Sequence, residues 1–154
     1  MRRLAFLALV LGTLGCDQGV HVLNAAPTVT KIGPVQLEGD RVSIVYWVRD
    51  HEEDSVDMTF ELVQASGTCR LVADAADAGG AKVCPGKLTG GHGDLGVTSA
   101  NTPTGKGHVI FWSLGDFSPD ADVELQLTAT DDQGDVGPTT KVGPFKLSAG
   151  IAEP

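Results

Sequence analysis

Positive charge is scarce in this chain. Its 154 residues carry 11 Lys and Arg against 20 Asp and Glu, a formal charge of −9. A general nucleic-acid binder needs a basic face to displace counterions from phosphates, so this balance argues against nucleic acid as a partner. It argues equally against a polybasic peripheral membrane binder. Long apolar runs are missing too: beyond Leu14 no stretch approaches the ~18 residues of a membrane-spanning helix. Signatures of chemistry are also absent. There is no G-x-S-x-G elbow to present a nucleophilic Ser. The GlyGlyHisGly run at 90–93 lacks the Lys-Ser/Thr of a phosphate loop, and no helix pattern follows it. Neither acidic run has EF-hand spacing, and the chain shows no internal repeat.

Turn formers and alternation are what the sequence does contain. With 20 Gly and 8 Pro the chain is punctuated too often for a helical bundle, and 42% hydrophobic content is enough for one folded domain. From residue 27 onward the dominant period is two. Val29 and Ile32 mark a first short strand. In Arg41–Val48, Val42, Ile44, Tyr46 and Val48 share one face, and Ser43, Val45 and Trp47 share the other. Val56, Met58, Phe60 and Leu62 alternate with Asp57, Thr59 and Glu61, so this segment is expected to pair with the previous one as a hairpin around residues 50–54. Strand-like pieces follow at 70–72 and 81–83, within a loop-rich stretch over 65–106. Strands resume over 108–114, 122–130 and 139–147, with Phe145 and Leu147 expected in the core. The pattern predicts an all-β, two-sheet antiparallel sandwich of about seven strands over 27–148, with a fraying tail at 149–154.

The N-terminus reads as an export signal. Met1-Arg2-Arg3 is a positive start, and Leu4 to Leu14 is an apolar stretch that reaches only roughly 16 Å as a helix, too short to span a bilayer. Thr13-Leu14-Gly15-Cys16-Asp17 then resembles the lipobox of bacterial lipoproteins. The resemblance implies cleavage of residues 1–15, acylation of Cys16, and a tether over 16–26. It departs from the family pattern at Thr13, where Leu is usual. Two acyl chains would give stable membrane attachment. The implied location is the cell envelope, with the outer membrane or cell surface favoured over the inner membrane and both open.

With Cys16 assigned to lipid, Cys69 and Cys84 remain. An even pair in an exported chain reads as a disulfide. Two alternatives stay open. One is a zinc site, although neither Cys has a partner at C-x₂₋₄-C spacing. The other is a pair of free thiols.

Residues 39–62, 108–114, 123–138 and 144–147 together resemble the fibronectin type III-like and immunoglobulin-like modules of bacterial secreted proteins. Those modules place a Tyr strand before an Asp-rich turn, a core Trp on a later strand and an Asp-Gly turn after a penultimate strand. Tyr46, Asp50, Glu53, Asp54, Trp112, Asp131, Asp132 and Gly134 occupy these places here. The match weakens from Ser66 to Cys69 onward.

Three functions are compatible with this reading. The first is a lipid-anchored, non-enzymatic envelope module that binds a protein or glycan partner. Val45, Trp47 and Phe111 are its candidate interface, because they lie opposite the core face and aromatic side chains anchor interfaces. An open sheet edge offers a second binding mode through unpaired backbone groups. The second function is a calcium-dependent adhesion module. Asp50, Glu52, Asp54, Asp131 and Asp132 would supply oxygen ligands if their turns meet at one pole. The third is a small envelope hydrolase, which needs paired carboxylates beside a cleft.

Overall fold

A computed structural model describes residues 24–93, 95 and 102–151. The expected signal segment and Cys16 therefore lie outside the described residues. The described chain forms eight strands: β1 (Thr28–Glu38), β2 (Arg41–Arg49), β3 (Val56–Gln64), β4 (Gly67–Leu71), β5 (Lys87–Gly90), β6 (Lys106–Ser113), β7 (Asp122–Asp131) and β8 (Thr140–Lys146). A single 3-10 turn, Ala75–Ala78, lies between β4 and β5. Sheet A has the order β1-β2-β6-β5, sheet B has β4-β3-β7-β8, and all strand pairs are antiparallel. The expected two-sheet sandwich is therefore present, with eight strands in place of about seven.

The period of two decides what is buried. Val42, Ile44, Tyr46 and Val48 of β2 face inward, as do Val56, Met58, Phe60 and Leu62 of β3 and Val123, Leu125, Leu127 and Ala129 of β7. Tyr46 and Phe60 meet edge to face across the sandwich, with ring centroids 5.3 Å apart. Trp112 packs the same way on Phe117 at 5.0 Å. The polar atoms of these large rings are satisfied. Tyr46 Oη donates to Gly91 O at 2.7 Å, and Trp112 Nε1 donates to Pro85 O at 2.9 Å. A buried donor left unpaired costs about 1–3 kcal/mol, so these two loop carbonyls are part of the core.

Four local expectations are corrected. First, β2 and β3 are not a hairpin, because they lie in different sheets. Alternation shows which residues share a face, but it does not show which strand is the neighbour. The connection length does. Gly39–Asp40 is a two-residue link and closes a hairpin between β1 and β2, with Glu38 opposite Arg41. The link over 50–55 is long enough to cross the ~10 Å between sheets, so the faces of β2 and β3 meet across the core. Second, β1 runs through Pro34 to Glu38 with two register shifts. Third, residues 81–83 form only a single parallel bridge, Arg70 to Val83, while Lys87–Gly90 forms a strand with one core residue, Leu88. Fourth, the chain stays ordered into the expected tail. Ile151 exchanges two backbone hydrogen bonds with Val35, at 2.8 and 3.0 Å. Leu147 is buried as expected, whereas Phe145 packs only partly against the core.

Cys69 and Cys84 form a disulfide. It joins β4 to the segment before β5, and both residues are buried. The bridge closes the loop-rich stretch from 69 to 84 and removes about 3 kcal/mol of loop-closure entropy from the unfolded chain. Reduction is expected to lower the unfolding free energy by that amount, read as a shift in urea midpoint with and without reductant. An unchanged midpoint would show that the loop is held by its packing alone.

Candidate functional site

The two acidic turns meet at one pole, because β3 pairs with β7 so that Val56 lies opposite Asp131. They share one construction. Asp50 Oδ1 accepts from Glu52 N at 3.4 Å, and its Oδ2 accepts from Asp54 N at 3.0 Å. Asp131 Oδ1 accepts from Gln133 N at 3.0 Å and from Asp135 N at 2.8 Å. In each turn the leading Asp binds the amides two and four residues ahead. In each turn the fourth residue has a left-handed backbone, Glu53 at φ 61° and Gly134 at φ 89°. Side chains link the turns: Gln133 Nε2 donates to Asp54 Oδ2 at 3.2 Å. Asn24 Nδ2 donates to Asp131 Oδ2 at 2.6 Å and to Asp135 Oδ2 at 2.9 Å, which fixes where the chain enters the domain.

The two leading carboxylates are tuned in opposite directions. Burial pushes the Asp50 carboxyl up, the amides of Glu52 and Asp54 offset this in part, and the Glu52 carboxylate beside it pushes it further up. Burial acts on Asp131 in the same sense, but the Asn24 amide and the amides of Asp135, Gln133 and Gly134 outweigh it and hold the carboxyl below its ordinary value. Among the described residues no three His, Cys, Asp or Glu side chains converge as a metal requires. The oxygens of Asp50 and Asp131 already accept turn amides, and Asp132 is exposed. Glu52 Oε2 is shielded and has no donor. Its position beside Asp50 is consistent with the raised Asp50 pKa, since two adjacent carboxylates hold a proton more readily than one.

The sheet edges are covered in part. Ile151 pairs with β1 at Val35, and Lys82 O and Cys84 N bond to Arg70 of β4. Leu88 N of β5 donates to Val72 O, and Pro144 removes a donor from β8. The unmatched end of β3 is filled by His92 and Leu95, which bond to Met58 N and Val56 O.

The two outer faces differ. Sheet B presents Thr59, Thr128 and Thr130 with charges already paired: Arg70 lies 2.9 Å from Glu61, and Lys141 lies 3.6 Å from Glu124. Sheet A presents the expected trio Val45, Trp47 and Phe111, joined by Val109 directly opposite Val45. Val109 is 44% exposed, and the other three are half-buried. Trp47 lies over Gly107, where an added Cβ would stand 3.0 Å from the indole Nε1. The missing side chain is therefore what lets the ring lie flat on the sheet. Lys31 Nζ sits 4.9 Å from the Trp47 ring centroid, and the Arg41 guanidinium sits 4.5 Å from that of Phe111. Sequence reading identified the trio from its phase against the core. It missed Lys31 and Arg41, whose places depend on strand pairing.

A further depression of ≈ 330 Å³ lies between Val35–Glu38 and Ser148–Ile151, and Glu38 is the one titratable side chain lining it. No protein-family model, curated protein or solved structure matches this chain.

Asp131→Asn is expected to cost about 2 kcal/mol at pH 7, because a charged acceptor of several donors is lost. The difference from the parent should shrink as pH falls through the depressed Asp131 pKa, below the ordinary 3.8, where the parent loses the same charge. Asp50→Asn should cost about 0.5 kcal/mol or less at pH 7, because it removes a charge whose burial opposes folding. Urea unfolding at pH 7 and pH 3 checks both, and equal costs at pH 7 would refute the opposite tuning. Millimolar Ca²⁺ should leave the melting temperature of the full chain unchanged relative to chelator. A rise that Asp50→Asn abolishes would reinstate the metal.

Proposed function

We propose that this protein is a lipid-anchored, non-enzymatic module of the bacterial cell envelope that binds a partner through the outer face of sheet A. The observation that carries the reading is the inequality of the two outer faces. Sheet B meets solvent chiefly with hydroxyls and charges, with Val63 as a half-buried apolar side chain among them. Sheet A meets it with two aromatic rings and two valines, at positions where strand alternation calls only for polar side chains. Contacts at Val35, Arg70 and Leu88 interrupt the edges of β1, β4 and β5, which supports the face over strand addition as the mode of contact. The anchor rests on the lipobox resemblance at Cys16, and Asn24 brings the chain into the domain at the acidic pole. In this reading the acyl chains hold the protein, the tether gives reach, and the rigid sandwich displays the face.

Two measurements test the reading. The full chain recovered from bacterial membranes should have the mass of cleavage before Cys16 plus acyl groups, and Cys16→Ser should move the protein to the soluble fraction. A soluble parent protein would remove the anchor. Purified Cys16→Ser chain added in excess to isolated envelopes should bind them reversibly, and Trp47→Ala with Phe111→Ala should weaken this binding about tenfold or more. Thr59→Ala with Thr128→Ala on sheet B should not. Equal retention by all three chains, each checked for a native melting transition, would overturn the face as the contact surface.

A further inference from the structure

The unmatched end of β3 is covered by a strap that the interior of sheet A holds in place. β4 pairs with β3 only from Phe60 to Gln64, which leaves Val56 and Met58 without a strand on that side. Residues 91–93 and 95, which follow β5, take the vacant place. Met58 N donates to His92 O at 2.7 Å, and Leu95 N donates to Val56 O at 3.0 Å. Leu95 packs on the edge of the core, whereas Gly91 and Gly93 add no side-chain packing. At its other end the strap is held by Tyr46, whose Oη donates to Gly91 O at 2.7 Å. Tyr46 lies on β2, to one side of β6, and Gly91 leads on from β5 at the other side. The Tyr46 side chain therefore passes beneath β6. The residue above it is His108, which stands opposite Tyr46 in register and stacks on its ring, with centroids 5.5 Å apart and planes at 26°. His108 Nε2 is enclosed and has no hydrogen-bond partner.

We propose that residues 91–93 and 95 form an acid-released strap, with the His108–Tyr46 stack as its catch. A neutral imidazole has one N–H and one bare nitrogen, so it can turn the bare nitrogen to the enclosed side. An imidazolium has an N–H on both nitrogens. Its Nε2–H would lie in the enclosed space with no acceptor, which is the costly way to bury a polar group. The face of the Tyr46 ring attracts a cation, but it does not replace an acceptor for that N–H. The groups around His108 do not supply one either. From β2 comes Tyr46, whose hydroxyl is engaged by Gly91 and whose own pKa is pushed up by burial. From β6 comes Lys106, a second cation two residues along the strand. β5 adds Leu88 and Gly90, which do not titrate. β3 turns Val56, Met58 and Phe60 inward and Asp57 outward. The strap carries His92, whose Nδ1 lies 2.7 Å from Gly90 O. Burial, with Lys106 adding to it, holds the His108 pKa below the ordinary 6.5. Such a histidine binds its proton more readily once it is released. The strap is therefore fully held above pH 6.5 and opens progressively as pH falls below it. Opening leaves Met58 N and Val56 O unpaired and bares the edge of β3 beside the acidic pole, where Val56 lies opposite Asp131.

Amide hydrogen exchange of the full Cys16→Ser chain, read by NMR at pH 7.5 and pH 5.5 and corrected for the intrinsic pH dependence of exchange, tests the proposal. Protection of the Met58 and Leu95 amides is expected to fall about threefold or more at the lower pH, while Leu125 in the middle of β7 keeps its protection. His108→Phe keeps a stacked ring without the titration, and His108→Gln keeps a neutral polar side chain. The fall should vanish in each of them that retains native protection at Leu125. Tyr46→Phe removes the bond to Gly91 and should lower protection of the two strap amides about threefold or more already at pH 7.5. His92→Gln should leave the pH dependence as it is in the parent. A parent with no fall at Met58 and Leu95 would overturn the acid release. An equal fall at Leu125 would show global acid unfolding and overturn it too. An undiminished fall in a folded His108 variant, or its disappearance in His92→Gln, would overturn His108 as the group that titrates. Unchanged strap protection in Tyr46→Phe would overturn the stack as the catch.

Discussion

Burial of the two inner faces against each other governs this molecule. Tyr46 and Phe60 come from strands consecutive in sequence but in opposite sheets, and their rings meet across the core. Side chains on a strand alternate strictly, so once Ile44, Tyr46 and Val48 point inward, Val45 and Trp47 must point out. The same holds on β6, where buried Ile110 and Trp112 force Val109 and Phe111 outward. The composition of this outer face is therefore in phase with the core. Large apolar residues at those outward positions are not required by the core, and they are what gives the face its character.

The pole where the chain changes sheets shows how similar turns reach different electrostatic outcomes. Asp50 and Asp131 each organise a five-residue turn through amides two and four positions ahead. Asp131 also receives the Asn24 amide, and its charge is stabilised. Asp50 instead has the Glu52 carboxylate as its neighbour, and its charge is opposed. The acidic residues that suggest calcium are used to hold backbone. Asp with Gly or a left-handed residue is what such turns require, whether or not a metal binds.

The faces of the sandwich divide the remaining polar chemistry. Sheet B neutralises its charges locally through Arg70 with Glu61 and Lys141 with Glu124. Sheet A places Lys31 over the Trp47 ring and Arg41 over the Phe111 ring. Exposed ion pairs contribute about 0–1 kcal/mol each, so the sheet B pairs matter little for stability.

The sequence by itself determined the all-β class, the inward-facing residues of β2, β3 and β7, the outward phase of Val45, Trp47 and Phe111, and the Cys69–Cys84 pair as a candidate disulfide. Each follows from a local rule: period-two alternation, turn composition, or an even count of Cys. The tertiary structure decided the rest. It decided that β2 and β3 pack face to face, that Lys87–Gly90 is a strand, and that Ile151 closes the edge of β1. It decided that Lys31 meets Trp47, and that Arg41 and Lys87 flank one position on β6. These are pairings between residues far apart in the chain, fixed by which strand lies beside which. A period of two assigns each residue to a side of its own strand and carries no information about the neighbouring strand.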